Sequence, residues 1–352
     1  MPGDTNRSVR LSMPTNGLTR IQDNLAYLCM KYFLSCDWGT TSLRVRLIDV
    51  KQEKILLEES SDEGIAATFD RWQQTPGKDE QQKTGFYLTV IDRCIRKLEQ
   101  RCDKSLRGVN MIISGMASSS VGFIDVPYAE VPLPVDGSGF KTASISANSQ
   151  FGHDCLVISG VRTDADVIRG EETQLIGCID PAKAPVKNGL FIFPGTHSKH
   201  IRVQNDKIIG FKTYMTGEFF ELLSAKSILK NSIEAASLSE NGNLRAFDKG
   251  VRDAVAGNLL HSAFTTRTNH LFNKLNKEEN FCYLSGLLIG TELKDLPDDA
   301  ETVNLICGAH LATWYCAALD DLGIKYTYSP VAANNATWMG QLKIGRQLKF
   351  IA

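Results

Sequence analysis

Two short stretches, roughly half the chain apart, carry residues suited to phosphate chemistry. Residues 37–49 read DWGTTSLRVRLID and residues 193–205 read FPGTHSKHIRVQN. With Gly39 placed on Gly195, Thr40 matches Thr196, Ser42 matches Ser198 and Arg46 matches Arg202. A glycine among small hydroxyl residues between two strands leaves main-chain N–H groups free and lets a ligand approach the backbone closely. Gly39, Thr40 and Thr41, with Gly195, Thr196, Ser198 and Lys199, are thus candidate donors to phosphate oxygens. No GxxxxGK[ST] run occurs, so neither turn is a Walker loop. One such turn alone says little, because hairpins use glycine and threonine for structural reasons. Two copies in corresponding places point to facing walls that grip a polyphosphate from both sides. Only the first copy carries an aspartate, Asp37. Magnesium favours one or two carboxylates plus waters, so Asp37 is read as the group that holds Mg²⁺, through water. The competing readings are a turn aspartate that satisfies nearby amides and, for Lys199, an exposed strand charge.

The elements that must position these turns follow from periodicity. Leu43, Val45 and Leu47 alternate with Arg44 and Arg46, the two-residue period of a half-buried strand. Residues 32–50 therefore read as strand, tight turn, strand. A helix is expected over 86–101, buried strands at GVNMIISG and DCLVISG, and a helix opening near GEETQLIGCI. The second half restarts with the strand GLFIFPG, its turn, and HIRVQ. Helical stretches follow over 216–230 and 248–275, then TVNLICG feeding the helix AHLATWYCAALDDLG, and KYTYSPVA as a last short strand. PAKAPVKNG is the natural boundary between the halves. The class is α/β, built by duplication of one unit. The expected divisions are a poorly ordered extension over 1–29, a first domain over 30–182 and a second over 183–352.

Bulk properties exclude several functions. A formal net charge of −1 over 352 residues creates no field that gathers nucleic acid or anionic membrane, and no apolar run approaches a membrane span. Nine cysteines, an odd count without CxxC spacing, suit a reducing compartment. The expectations are a cytoplasmic protein with small-molecule partners, no nucleic acid and no membrane, and a homodimer as the default assembly. His197 and His200 are three apart on a strand and face opposite sides, so structural zinc is not expected.

The motifs DWGTTSLR, RGEETQLIG, PGTHSK, FKTYMTGE and LSGLLIGTEL, in that order from about residue 31 to near 340, resemble those of the 2-dehydro-3-deoxygalactonokinase family. The resemblance implies a sugar-acid kinase of the actin/hexokinase/Hsp70 ATPase superfamily, with two RNase-H-like domains and ATP in the cleft between them. It implies phosphorylation of the 6-hydroxyl of 2-dehydro-3-deoxy-D-galactonate, with ATP and Mg²⁺ as cofactors. Phosphoryl transfer needs positioning, charge neutralisation and a carboxylate to take the hydroxyl proton. RGEETQLIG offers Glu171 and Glu172 at a helix start, where one serves as cap and one as base; residue 171 falls where the superfamily's sugar kinases place theirs, and Asp166 is the rival. The adenosine segment is expected at Gly308 and Ala309. The sugar acid is expected at SGMASSSVGFIDVPYAEVP, through Gly115, Met116, Ser119 and Gly122, with Arg44 neutralising a carboxylate or phosphate. A serine-rich turn and an exposed strand arginine are the bland alternatives. Phe123 and His200 stand where the family usually has tryptophan, which leaves open a kinase for another keto- or aldonic sugar acid. A sensing protein that kept the clamp and lost catalysis is the reading from a different class, although Asp37 and Glu171 are both intact.

Overall fold

The computed structural model describes residues 31–297 and 302–351; the extension expected over 1–29 lies outside the described residues. β1 (Tyr32–Trp38), β2 (Leu43–Asp49) and β3 (Lys54–Ser61) form an antiparallel meander, followed by α1 (Ile65–Gln73) and α2 (Glu80–Cys102). β4 (Met111–Gly115) returns parallel to β1. The short strands β5 (Ala129–Glu130) and β6 (Leu133–Pro134) and the strand β7 (Thr142–Ile145) precede β8 (Cys155–Ile158), which lies parallel to β4. β9 (Val161–Arg162) and β10 (Val167–Ile168) lead into α3 (Glu171–Cys178).

The plan then restarts. β11 (Asn188–Phe193), β12 (Ser198–Gln204) and β13 (Lys207–Tyr214) form a second antiparallel meander. It is followed by α4 (Thr216–Glu221), α5 (Asn241–Ala256), α6 (Leu259–Leu271) and α7 (Lys277–Leu293). β14 (Val303–Leu305) runs parallel to β11; α8 (Ala309–Asp321), β15 (Tyr326–Tyr328) parallel to β14, and α9 (Pro330–Gln347) complete the chain. The first sheet has the order β3-β2-β1-β4-β8-β7. The second reads β13-β12-β11-β14-β15, matching the first five strands of that order; β6 is added at its β13 edge, and β7 has no counterpart.

Burial explains which strands sit centrally. β4 and β8 are buried at every position, as strands covered on both faces must be, whereas edge strand β3 alternates exposed and half-buried residues. α1 and α2 cover one face of the first sheet, where Trp72, Tyr87 and Ile91 meet Leu34, Cys36 and Ile113. α5, α7 and α8 cover one face of the second. Between the two sheets lies a shared core: Phe33, Ile48 and Ile112 from the first, Phe191, Ile201 and Ile208 from the second, and Leu175, Trp338 and Leu342 from α3 and α9.

Two segments cross the sequence boundary near residue 182. β6 joins the second sheet, and α9 returns to the first. α3 and α9 touch backbone to backbone: a Cβ on Gly177 would lie 1.9 Å from the Ala336 carbonyl, and one on Gly340 1.8 Å from that of Thr173.

Three local expectations change. The helix expected over 216–230 ends at Glu221 and continues as a π turn (Leu222–Lys226) and a 3₁₀ turn (Ile228–Ser232). The stretch 248–275 breaks at Gly257, where Asn258 caps α6 by accepting from the Leu260 N–H. The strand expected through KYTYSPVA stops at Tyr328. Ser329 accepts from the Ala332 N–H and Pro330 occupies the first helical turn, the usual start of a helix.

Candidate active site

The first turn, residues 39–42, closes β1 onto β2 with Gly39 N–H donating to the Ser42 carbonyl. Thr40 and Thr41 are exposed. The turn lies against the start of α1, whose Ile65 and Ala66 N–H groups donate to the Gly39 and Thr40 carbonyls. Gly64 makes this contact possible, since a Cβ there would lie 2.3 Å from the Thr40 oxygen. The second turn repeats the arrangement. Glu218 N–H donates to the Thr196 carbonyl, and a Cβ on Gly217 would lie 2.6 Å from the Gly195 oxygen. Each half thus sets a glycine, just beyond its third strand, beneath its phosphate-type turn. Gly217 lies in the MTGE motif; the sequence comparison missed Gly64, although DEGIAATF stands in the matching place.

Asp37, next to last in β1, lies in a row of cross-strand neighbours, Arg44 on one side and Ser114 on the other. Its Oδ2 accepts from Thr337 Oγ1 of α9 at 3.3 Å. Burial raises its pKa above the usual carboxylate value, with Arg44 and Arg46 pulling the other way and Glu171 adding to the rise. Gln341 of α9 donates to the Cys36 carbonyl at 2.8 Å and to Ser114 Oγ at 2.9 Å. α9 therefore sets the strand ends around Asp37, a role that its loosely patterned sequence did not announce.

On β12 alternation separates the side chains. Lys199 is buried, and its Nζ lies 3.0 Å from Glu171 Oε1 while donating to the His197 carbonyl at 2.6 Å. It is not the exposed strand charge weighed from sequence. Ser198 and His200 face the other way, onto Glu292 of α7. Ser198 Oγ donates to Glu292 Oε1 at 2.6 Å, and His200 Nε2 lies 2.8 Å from the same oxygen. Thr216 and Tyr315 donate to Oε2. Burial works to raise the pKa of Glu292, but the bonds from His200, Ser198 and Thr216 outweigh it and hold the carboxyl below its ordinary value. The Ser198 hydroxyl is therefore committed to a buried carboxylate and is not offered to a phosphate. Glu292 gathers β12, α4, α7 and α8 on one side chain. It lies in LSGLLIGTEL, a motif recognised for its glycines rather than for its acid.

The two glutamates of α3 divide their tasks. Glu172 is buried, accepting from the Gly170 N–H at 2.7 and 2.9 Å and from Thr173 Oγ1 at 3.2 Å. Burial, and then Glu171, push its carboxyl up to about 7. Its carboxyl is turned back onto the start of α3 and closed off from solvent. Glu171 remains half-buried at the edge, with one oxygen on Lys199 and the other accepting from the Arg169 N–H at 3.2 Å. Asp166, the rival, is occupied by the N–H and hydroxyl of Thr213 at 2.7 and 3.0 Å. Glu171 thus joins α3, through Lys199, to β12, the strand that leaves the second turn.

The turn after β4 meets the start of α3. Gly115 at φ +91° passes close under Trp38, and Gly170 at φ +114° faces it; a Cβ on Gly170 would lie 3.5 Å from the Gly115 Cα. Both conformations favour glycine. Arg169 crosses this contact and donates to the Ser118 carbonyl and hydroxyl at 2.5 and 2.6 Å. Met116 is half-buried at the turn. Ser119 donates internally to the Met116 carbonyl at 2.7 Å, and a Cβ on Gly122 would lie 2.1 Å from the Ala117 oxygen, so both shape the turn rather than face outward. Arg44 is exposed beside Ser60 and Glu58, with β1 between it and this turn; its place is beside Asp37. Phe123 and His200 are both buried, one against Trp38 and Tyr87 and the other on Glu292.

A cleft opens beside the second turn. Gly195, Thr216 and Gly217 form its polar end, while Phe281, Leu288 and Trp314 line the apolar body. α8 contributes His310, Leu311 and Tyr315. Gly308 and Ala309 stand just before these lining residues, exposed at the helix start. Among the described residues, no group of three or more His, Cys, Asp or Glu side chains is placed to hold a metal.

Phosphotransfer is the chemistry for which these groups are equipped, and the protein is a kinase, a phosphotransferase with an alcohol group as acceptor. More narrowly, residues 37–344 match the family described as 2-keto-3-deoxy-galactonokinase, and the chain belongs to that family. It is 29% identical over 305 residues to a Rhizobium meliloti protein named "Probable 2-dehydro-3-deoxygalactonokinase DgoK1", covering 84% of this chain and 90% of that one. It is 27% identical over 302 residues to the 2-dehydro-3-deoxygalactonokinase of Escherichia coli K12, covering 84% and 91%. A crystal structure from Sinorhizobium meliloti, titled for the same activity, superimposes with a TM-score of 0.73 at 25% identity, covering 91% of this chain and 98% of that one. No helix among the described residues is long and apolar enough to cross a membrane.

Proposed function

We propose that the protein transfers the γ-phosphoryl group of ATP to the 6-hydroxyl of 2-dehydro-3-deoxy-D-galactonate, giving the 6-phosphate and ADP. The observation that carries this reading is the position of Glu171: a half-buried carboxylate paired with the second-turn Lys199 and felt electrostatically by Asp37 of the first turn. The apolar cleft takes the adenosine, Gly195 and Thr196 direct the phosphates, and Lys199 supplies positive charge to them. The attacking oxygen bonds to the γ-phosphorus, its proton passes to Glu171, and the bond to the β-phosphate oxygen breaks. Asp37 suits Mg²⁺: it has one weak hydrogen-bond donor, burial disfavours its charge, and a cation would relieve that cost. The ion would hold through Asp37 and neutralise phosphate charge.

The matched strand orders support two RNase-H-like units of the actin-like ATPase superfamily, over 30–182 and 183–352, related by duplication. β6 and α9 are exchanged across that division. The free cysteines among the described residues fit the cytoplasm. Because Phe123 and His200 are buried, they give no reason to expect a different sugar acid.

A coupled assay with ATP, Mg²⁺ and a panel of keto-deoxy and aldonic sugar acids tests the reading. ADP formed with 2-dehydro-3-deoxy-D-galactonate, and lost by orders of magnitude in Glu171→Gln with ATP binding intact, is expected. ADP formed only with another acid refutes the substrate, and binding without ADP refutes the kinase reading.

A further inference from the structure

Arg169 has no place in the steps above, yet its guanidinium is unusually well fixed. Nη1 is spent on Ser118, and the cationic carbon lies 4.2 Å from the centre of the Tyr128 ring. The stack and the two short bonds hold the plane in one orientation. Nε is closed off without an acceptor, and among the described residues no carboxylate pairs with the side chain. A half-buried guanidinium with an unfilled donor edge is electrostatically incomplete. With Nη1 spent and Nε enclosed, Nη2 is the donor left for an anionic oxygen.

Its setting points the same way. Arg169 and Glu171 are two residues apart, but their side chains diverge: Arg169 reaches toward Ser118 and Tyr128, and Glu171 toward Lys199. Between them Gly170 meets Gly115 backbone to backbone, so the floor joining the two charged groups carries no side chain. A cation on one side of this floor and a carboxylate on the other suit the two ends of a short polyol acid.

We propose that Arg169 is the residue that recognises the substrate carboxylate, holding C1 of the sugar acid so that the far hydroxyl falls at Glu171. This rests on the kinase reading above. Tyr128 and Ser118 then act as positioning residues for the guanidinium.

The test compares the keto-deoxy acid with its neutral 1-amide in wild type, Arg169→Met and Arg169→Lys. Hydrogen bonds to charged groups are worth enough that Arg169→Met should lower kcat/KM for the acid by roughly 10- to 100-fold. The amide value and the KM for ATP should stay within about 3-fold. The acid-to-amide ratio, rather than overall activity, is the decisive readout, because a merely structural loss would depress both substrates alike. Lysine keeps the charge without the planar, stacked guanidinium, so Arg169→Lys should give an intermediate ratio and serves alone if the methionine variant does not fold. An unchanged ratio in either folded variant overturns the proposal. If wild type makes no ADP from the acid, the activity reading fails separately. Calorimetric binding of acid against amide to the ADP-loaded protein then decides Arg169 by itself.

Discussion

Glu172→Gln separates the two glutamates of α3 and gives a pH signature that can be worked out in advance. The wild-type carboxyl stands at about 7 in the folded protein against an ordinary 4.5, chiefly because it is buried. A raised carboxyl pKa means that the native state binds a proton that the unfolded chain has released. Its contribution is therefore intact below pH 4.5, erodes as pH rises toward 7, and stays lost above. The gap corresponds to roughly 3 kcal/mol at pH 8, the Gly170 N–H bonds having already pulled the carboxyl the other way. Glutamine keeps an acceptor for those bonds and never ionises. Urea unfolding should thus find the variant near wild type at pH 4.5 and more stable by one to three kcal/mol, in order of magnitude, at pH 8. Turnover at pH 8 should remain within about 5-fold of wild type, since the side chain is closed away from the substrate hydroxyl. Equal stability differences at both pH values would refute the burial argument. A folded variant that lost turnover would transfer the base role from Glu171 to Glu172.

Glu292→Ala leaves Ser198, His200, Thr216 and Tyr315 without their shared acceptor, so urea unfolding should show a loss of about 3–5 kcal/mol. Because the Glu292 carboxyl is held below its ordinary value, its contribution is present at neutral pH and fades as pH falls through the acid range; the variant should show a shallower acid limb. Gly217→Ala pushes a methyl to 2.6 Å from the Gly195 oxygen, whereas Gly210→Ala meets nothing within 4 Å. The first should raise the KM for ATP by about 10-fold or more and the second should not, and equal kinetics would detach the turn from the nucleotide. Gly308→Ala likewise meets nothing within 4 Å, so its melting temperature should hold while its ATP affinity, read by calorimetry, falls if adenosine occupies that space.

Much of the scaffold could be read from local pattern. The hairpins at 32–50 and 188–204, the buried strand before Gly115 and the opening of α3 follow from alternation and turn chemistry, and the structure has them. β6, β9 and β10 are two residues long, too short for any period to register. α9 escaped because small or polar residues, Ala336, Thr337, Gly340 and Gln341, interrupt its buried apolar ones, Trp338, Leu342 and Ile344. Ala336 and Gly340 are small because α3 lies against them, and Thr337 and Gln341 are polar because they serve Asp37, Cys36 and Ser114. That pattern needs the partner surface to make sense. The same holds at the site: the pair Glu171 and Glu172 was visible, but which one is buried depends on the fold around them. Arg169 sat beside that pair in RGEETQLIG, and its chemistry appeared only when Ser118 and Tyr128 were brought to it.

The two phosphate-type turns show how one local sequence acquires two chemistries. Gly39 and Gly195 close the same hairpin, and Gly64 and Gly217 support them alike. The side chains then answer to the layer behind each sheet. Ser42 is exposed, while its counterpart Ser198 is fully buried on Glu292, because α7 places an acid behind the second turn. The counterpart of Asp37 is Phe193, buried in the core that the two sheets share, so a carboxylate there would be stranded among apolar groups. Asp37 instead stands at a rim where Thr337 donates to it and Arg44 lies across the strand. The lone aspartate thus sits where polar and cationic neighbours partly offset the burial that disfavours its charge, and Lys199, one strand residue past the other turn, supplies the opposite sign where Glu171 can balance it. Exchanging the two residues, Asp37→Phe with Phe193→Asp, should therefore fail to move the metal-binding role and should cost stability mainly through the buried aspartate.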